Sequence, residues 1–549
     1  METNNTFSRF IGDFLDDALA EKAGITEIRM GAAAPVHSAA SFPWPAASII
    51  NGLKYDSRNI TPGDLYFALP GLHTDGHDFI SHAIDRGALA VVYQRECDGF
   101  REGIIYIKVK DSRFAMSPIA DAFYNFPSRK MGVIGVTGTE GKSTTVYLIY
   151  QLLKLLGKKA AFVSTVQHGD GLTEKWNSEH QTTPEAVTVH LLLAEMLRNG
   201  AEFAVLESSS HGLSKKTNRL GDVDFDVGVM TCVTHEHLEF HGTWGQYRSD
   251  KAELFRALGT SPTTHRKRGS QIPSFGVVNA DDASAEFFAA AAGQKTYSFS
   301  AKGAEADLSI KKSESGAGGN DYEVFVFSTG KTVSIKDNLS GAFNMGNVLA
   351  SILVVSNLLS VDIEKLISLV PLLKPVRGRM TAVNLGQPFE VLVDYAHTPS
   401  SFETVFPPLW ERIKRSGGRL ISLFGSAGER DTKKRSRQGE VAARYSDLVF
   451  LTDEDPRGEE PMAILEEISQ GCETGCENMI RDETLFLIPD RPKAIRKAFS
   501  LARPGDLVLL LGKGHENSII YASGTISYDE IIEAENALKE AGYSGKTMR

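Results

Sequence analysis

The sequence predicts an α/β protein built on parallel sheets, and three observations carry that reading. Apolar runs of strand length recur along the chain, each separated from the next by a stretch with helical periodicity. One of them, "MGVIGVTG" from Met131, meets a glycine turn and passes into "STTVYLIYQLLKLLG", an amphipathic helix closed by Gly157. Near the C-terminus "FEVLVDYAHTP", "RLISLFGSAGER", "DLVFLTDEDP" and "DLVLLLGKGHE" are again strands, each with a polar turn at its carboxyl end, where doubly wound sheets bind ligands.

The bounds set by composition agree. At 549 residues the chain exceeds one hydrophobic core, so about two to four domains are expected. Its 42% hydrophobic and 23% charged residues are globular values. A net charge of −10 argues against a nucleic-acid partner, which needs a basic face. The four cysteines are sparse and suit a reducing compartment; C-E-T-G-C (Cys472, Cys476) lacks the second half of a zinc site. No apolar run approaches the roughly 18 residues of a membrane span. The N-terminal "METNNTFSRFIGDFLDDALAEK" is acidic and amphipathic rather than a signal peptide, so the expectation is a cytoplasmic protein without membrane insertion.

Along the chain, residues 31–48 ("GAAAPVHSAASFPWPAAS") read as a linker or long loop. The runs "DLYFALP", "LAVVYQ" and "IIYIKV" with the helical "FISHAIDRGA" form a small α/β unit. After the glycine turn, "KAAFVST", "FAVLES" and "VGVMTCV" continue the rhythm of a parallel sheet. Residues 261–330 hold a basic loop, "THRKRGS", and a hairpin-like "KKSESGAGGNDYEVFVF". At "LLKPVRGRM" the chain passes to another domain, and no internal repeat is visible. The expected boundaries are residues 1–130, 131–375 and 376–549.

The chemistry begins in "GVIGVTGTEGKSTT". Gly138 and Gly141 allow a tight backbone turn whose N–H groups face phosphate oxygens. Lys142 supplies charge near the β/γ-phosphates and Ser143 a hydroxyl for Mg²⁺. Val136 stands where the general pattern has its first glycine. Glu207, at the end of a following strand, is placed to reach a metal beside the loop. The segment "VTHEHLEFHGTWGQYRSDKAELF" gathers three histidines, several acids and a lysine after the next strand; spacing alone leaves metal ligands, catalytic groups and a solvated surface all open.

In consecutive order, "TGTEGKSTT", "TTPEA", "ESSSHGL", "THEHLEFHGTWGQYRSDK", "GAFNMGN", "RGRM", "VDYAHTPSS" and "GKGHE" resemble the Mur ligase family, from about residue 53 to 525. The early "YDSRNITPGDLYFALPGLHTDGHDFI" and the later "DEDPRGEEP" are similar to its MurE-type branch. The resemblance implies three domains: a small α/β UDP-binding domain, a central P-loop parallel-sheet ATPase-like domain and a C-terminal Rossmann-like domain. It implies a monomer that joins a diamino acid to UDP-N-acetylmuramoyl-L-alanyl-D-glutamate, using ATP and two Mg²⁺ ions, in peptidoglycan precursor synthesis. The acid would be activated as an acyl phosphate before the amine attacks it.

By the same resemblance, Gly138, Thr139, Glu140, Gly141, Lys142, Ser143 and Thr144 cradle ATP, with Asn347 and Arg379 as further nucleotide contacts and Asn279 a weaker one. Ser143 and Glu207 would hold one Mg²⁺; His237 and Lys251, the latter carbamylated by CO2, would serve the second. The catalytic set is then Lys142, His237 and Lys251, with His235 and His241 structural. Tyr55, Ser57, Leu72, His73 and Thr74 match uridine-side positions, and Gln181, Thr182, Thr183, Ser209, Lys215 and Arg219 those nearer the sugar and peptide; placing Arg219 requires a two-residue insertion after Leu213. Arg430, Glu454, Asp455, Pro456, Arg457, Gly512 and Glu516 would receive the amino acid, and His397 would support the nucleotide or domain closure.

Departures from the family pattern carry information. Glu140 replaces a usual asparagine, and Arg377 a usual proline. "EDPR" stands where the meso-diaminopimelate branch has D-N-P-R. Arg457 favours a second carboxylate, whereas Asp455 is expected to repel it and welcome an ammonium, so diaminopimelate, lysine and ornithine all remain open. Two other readings stand beside the ligase. Folylpolyglutamate synthesis lacks the "YDSR" domain and the "EDPR" turn, and an inactive ATP-binding regulator has no use for an intact Lys142, Glu207, His237 and Lys251.

Overall fold

The computed structural model describes residues 7–71, 74–96, 99–177, 182–234, 238–258, 272–316 and 318–545. They form two compact units. One comprises Met1–Gly138, Leu153–Val278 and Asp282–Tyr297; the other Thr139–Leu152, Asn279–Asp281 and Ser298–Arg549.

Among the described residues the first unit holds a short antiparallel pairing of Arg9–Phe10 with Ile49–Ile50 and two larger sheets. Four short apolar runs become the parallel strands Leu53–Lys54, Leu65–Phe67, Ala90–Tyr93 and Ile105–Val109, paired in that order. Ile25–Met30 adds an antiparallel edge that the sequence reading did not foresee. Residues 31–48 are irregular, as expected of a loop, yet Ala39 and Phe42 are buried and the Trp44 indole donates to the Ala39 carbonyl at 3.1 Å. They cover the core with Ile11, Phe14 and Leu15. The helix Ser112–Phe123 starts where Asp111 accepts from the N–H groups of Arg113 and Phe114.

The second sheet of this unit places Gly132–Thr137 between Phe203–Glu207 and Val227–Met230, all parallel, flanked by Ala160–Val163 and Phe275–Asn279. Val133, Ile134 and Val136 are fully buried, which explains why the strand is apolar without alternation: both faces are covered. In the register, Glu207 lies opposite Val136 and Met230 opposite Thr137, so these strands end at the glycine turn. The helix carrying Lys251, Trp244–Arg256, begins where the Thr243 hydroxyl accepts from the Gln246 N–H.

In the second unit Leu308–Gly316, Gly319–Val326 and Lys331–Asp337 form an antiparallel meander, and Phe343–Leu359 is a helix buried along most of its length. A six-stranded sheet follows, in the order Thr381–Ala382, Glu390–Asp394, Leu507–Leu511, Leu420–Phe424, Leu448–Leu451, Leu485–Leu487. All but the first edge strand are parallel. Leu392 and Leu509 pack into one apolar cluster, Val391, Val393 and Val508 into another, so side chains alternate between two covered faces. Because the strands are parallel, the turns "DYAHTP", "GSAGER", "DEDPRG" and "GKGHE" emerge at one edge.

Candidate active site

At the phosphate loop the backbone shape is dictated by glycine. Gly138 has φ +151° and Gly141 φ +81°. A Cβ at Gly138 would overlap the Thr231 hydroxyl and come within 3.1 Å of the Cys232 carbonyl. The helix Lys142–Leu155 leaves the turn directly, so the loop lies at a helix N-terminus, the end that favours an anion. Lys142 Nζ donates to the Thr139 carbonyl at 2.7 Å. Thr139, Ser143 and Thr144 are buried, and Glu140 is half-buried. Thr145 donates to Asn347 Oδ1 at 3.2 Å, while the Asn347 amide donates to Asn344 at 2.9 Å. Asn347 is therefore seated against the helix that leaves the phosphate loop.

Lys251 is the most telling side chain in the first unit. It is 2% exposed, its Nζ donates to the Gly138 carbonyl at 2.6 Å, and it lies 4.5 Å from the Tyr247 ring centroid. Glu207 is buried and accepts from the Thr165 N–H at 2.8 Å. Both nitrogens of the buried His241 are engaged, Nδ1 with Asp250 at 2.6 Å and Nε2 with Ser210 at 3.1 Å, as suits a structural histidine. His235 and His237 lie outside the described residues. The donors suit Mg²⁺ in chemistry, since the Ser143 hydroxyl and Glu207 carboxylate are hard oxygens. Lys251 fits only in modified form: an ammonium has no lone pair to give a cation, whereas a carbamate offers two oxygens. Among the described residues no cluster of three or more His, Cys, Asp or Glu forms a metal site.

Residues matched to the sugar and peptide converge. Thr183 Oγ1 lies 2.9 Å from Ser209 Oγ, and Arg219 donates to the Thr183 carbonyl at 2.8 Å and to Glu185 at 2.7 Å. Arg113 reaches the same Glu185 oxygen at 3.2 Å. Glu185 and Arg113 were missed in the sequence, although Glu185 stands inside "TTPEA". Thr182 is half-buried beside the cluster. Lys215 is apart from it, 80% exposed and 3.5 Å from Glu253. Ser57 lies 3.1 Å from His82 Nδ1, Tyr55 packs on the N-terminal core, and Thr74 is exposed. Leu72, His73 and Gln181 lie outside the described residues.

In the second unit, Glu454, Asp455, Gly512 and Glu516 meet around a residue the sequence reading passed over, Lys513. Its Nζ donates to Asp455 Oδ1 at 2.9 Å and to Glu516 Oε2 at 2.6 Å. Asp455 Oδ1 also accepts from the Ile520 N–H at 3.0 Å. Asp455, expected to repel a carboxylate and welcome an ammonium, thus already holds an ammonium of the fold, which it shares with Glu516. Glu454 is buried, burial raises its carboxyl pKa, and its Oε2 has no hydrogen-bond partner among the described residues. Arg457, at φ +56°, donates its N–H to the Ile520 carbonyl at 2.8 Å, which docks the turn around Pro456. Arg430 is exposed on the turn after Leu420–Phe424. Arg379 lies 4.7 Å over the Tyr395 ring, and Arg377 forks Asp529 with two 2.7 Å bonds. His397 Nδ1 is 3.0 Å from the Tyr395 carbonyl. Asn279 ends the strand Phe275–Asn279, with its side chain accepting from the Asp281 N–H at 3.0 Å.

A phosphate loop with a buried lysine on its carbonyl, in one chain with a doubly wound sheet that carries a charged cluster at its strand ends, is the equipment of a nucleotide-binding enzyme. Comparison with known proteins identifies it further. The chain matches the Mur ligase middle domain over residues 136–355, the Mur ligase glutamate ligase domain over 378–514 and the Mur ligase family catalytic domain over 49–124. It is 50% identical over 510 residues to UDP-N-acetylmuramyl-tripeptide synthetase of Treponema denticola, covering 89% of this chain and 94% of that one. The protein of that name from Roseiflexus sp. is 44% identical, over 91% and 97% of the two chains. UDP-N-acetylmuramoyl-L-alanyl-D-glutamate--2,6-diaminopimelate ligase of Geobacillus thermodenitrificans is 36% identical, over 89% and 95%.

Among solved structures, one of a ligase bearing this last name aligns with TM-score 0.58 at 26% identity, covering 92% and 97%. MurF from Thermotoga maritima in complex with ADP aligns with TM-score 0.58 at 22% identity over 89% and 97%, and shows the shared fold. The chain belongs to the Mur ligase family, has its three-domain α/β fold, and is an ATP-dependent, amide-bond-forming ligase.

Proposed function

We propose that the chain adds the third peptide residue, a diamino acid, to UDP-N-acetylmuramoyl-L-alanyl-D-glutamate in peptidoglycan precursor synthesis, acting as a monomer in the cytoplasm. The observation that carries this reading is full-length similarity: relatives named for tripeptide synthesis are matched over 94% and 97% of their own length. The geometry around Gly138 and Lys513 supplies the chemistry.

A carboxylate is a poor electrophile, so it first attacks the γ-phosphorus of ATP. The bond to the β,γ-bridging oxygen breaks, ADP leaves, and an acyl phosphate forms. The amine then adds to the acyl carbon, loses a proton, and the tetrahedral intermediate expels phosphate to leave the amide. Gly138–Thr144 orient the triphosphate, and Lys142 swings from the Thr139 carbonyl to offset charge on the transferring group. Thr183, Ser209 and Arg219 position the peptide end of the UDP substrate. Glu516 and Glu454 accept from the ammonium of the incoming amino acid, while Arg430 and Arg457 take carboxylate.

Bound Mg²⁺ supplies charge neutralisation at the phosphoryl group. Ser143 and Glu207 would hold one ion, and His237 with a carbamate on Lys251 the other. The carbamate would form by addition of CO2 to the Lys251 amine with loss of a proton, turning that side chain into an anion.

The diamino acid stays among meso-diaminopimelate, lysine and ornithine. Phosphate release tests the reading: it should require ATP, the UDP-linked dipeptide and one of these amino acids together. Release without the amino acid, or none in any mixture, rejects it.

A further inference from the structure

Lys513 is completely buried, a position an ammonium tolerates only when paired. Its partners come from two separate turns: Asp455 from the turn after Leu448–Leu451, and Glu516 from its own turn after Leu507–Leu511. Glu516 also accepts from the Tyr395 hydroxyl at 3.3 Å, and Arg379 lies over that ring. Gly378 and Gly514 allow the turns of "RGRM" and "GKGHE" to meet backbone to backbone, since a Cβ at Gly514 would stand 2.9 Å from the Gly378 carbonyl. A single ammonium thus ties the turn that differs from the diaminopimelate branch to the acid expected to receive the incoming amine.

We propose that Lys513 is a specificity-determining and positioning residue: the charge presented to the far end of the diamino acid is set by the Lys513–Asp455 pair, not by Asp455 alone. This rests on the ligase reading above and refines its amino-acid site. The far end of diaminopimelate is a zwitterion, with a carboxylate beside its ammonium, whereas lysine and ornithine end in a bare ammonium. The Lys513 ammonium faces two carboxylates, Asp455 and Glu516, so the cluster carries one negative charge in excess. Asp455→Asn leaves the ammonium paired with Glu516 alone, removes that excess and favours diaminopimelate. Lys513→Met leaves both carboxylates uncompensated, makes the cluster more negative and favours lysine and ornithine. Removing both returns the net charge, and with it the preference, towards that of the wild type.

The test uses the full chain with ATP, UDP-N-acetylmuramoyl-L-alanyl-D-glutamate and an equimolar mixture of meso-diaminopimelate, lysine and ornithine, with products separated by mass. The expected shift for each single variant is about tenfold in the product ratio, in opposite directions, as for one hydrogen-bonded charge. The double variant Asp455→Asn/Lys513→Met should lie within about threefold of wild type. Lys513→Arg should keep the wild-type preference. KM for the amino acid should move in Lys513→Met while KM for ATP and the UDP substrate stays, which a general loss of structure would not produce.

If Lys513→Met does not fold, the double variant and Lys513→Arg decide. Equal ratios for Asp455→Asn and the double variant overturn the proposal, as does a shift of Lys513→Met in the same direction as Asp455→Asn. Wild-type protein that joins none of the three amino acids overturns the ligase reading instead.

Discussion

Replacing Gly138 by alanine perturbs the phosphate loop at its most constrained atom. The new methyl group meets the Thr231 hydroxyl, which itself donates to the Thr137 carbonyl, and lies 3.1 and 3.2 Å from the Cys232 carbonyl and nitrogen. Thr231 is β-branched and sits at a strand end, so it has little freedom to retreat. Two costs therefore add. Holding a non-glycine residue at φ +151° costs about 1–3 kcal/mol, and overpacking a closed site another 1–3 kcal/mol or so. Relaxation that avoids this cost must move the Gly138 carbonyl, and with it the 2.6 Å bond to Lys251.

The expected outcome is a melting temperature lowered by several degrees and a KM for ATP raised at least tenfold, about 1.4 kcal/mol of lost binding. Gly157→Ala is the control. It too has a positive φ, +76°, but its Cβ would meet open space, so about 1 kcal/mol of stability is lost with no change in KM for ATP. Isothermal nucleotide binding and thermal melting of the two variants read both quantities. Wild-type nucleotide affinity in Gly138→Ala would mean that the loop tolerates a side chain there and that glycine is not what shapes it.

Three further predictions concern other parts of the molecule. Lys251→Ala should reduce kcat by about a hundredfold or more and regain part of it with added short carboxylic acids; full activity without them would remove the carbamate. Glu530→Gln should destabilise the C-terminal sheet by about 3–5 kcal/mol in denaturant unfolding, because Glu530 and Arg491 are both fully buried and joined at 2.8 Å; a neutral change would contradict this. Burial pushes the Asp453 carboxyl up to about 6. A raised acid binds its proton more tightly in the folded state, so the protein loses stability as pH climbs from about 4 to about 6. Asp453→Asn should accordingly out-melt the wild type at pH 8 and match it near pH 4, and parallel pH profiles would argue otherwise.

The strands were legible because parallel sheets buried on both faces demand unbroken apolar runs, as in Gly132–Thr137 and Leu507–Leu511. Sheet order was not, since nothing local specifies that Leu507–Leu511 inserts between Glu390–Asp394 and Leu420–Phe424. The edge strand Ile25–Met30 was missed because "ITEIRM" is half polar, as an exposed edge is. At the site, glycine and lysine of the phosphate loop could be read from spacing, because backbone geometry and charge are local requirements. The compensation of Asp455 could not, because its partner lies 58 residues away. "GKGHE" held the signal: a lysine flanked by glycines at a strand's carboxyl end, with an acid three residues on. Glu185 shared by Arg113 and Arg219 is equally non-local, 72 residues from one and 34 from the other.

The central claim is that an acid is activated by transfer of the γ-phosphoryl group before the amine arrives. The direct measurement labels the carboxylate oxygens of the D-glutamate residue in the UDP-linked dipeptide with oxygen-18. The expected result is one labelled oxygen in the released phosphate and one retained in the new amide. Unlabelled phosphate alongside formed tripeptide would contradict it.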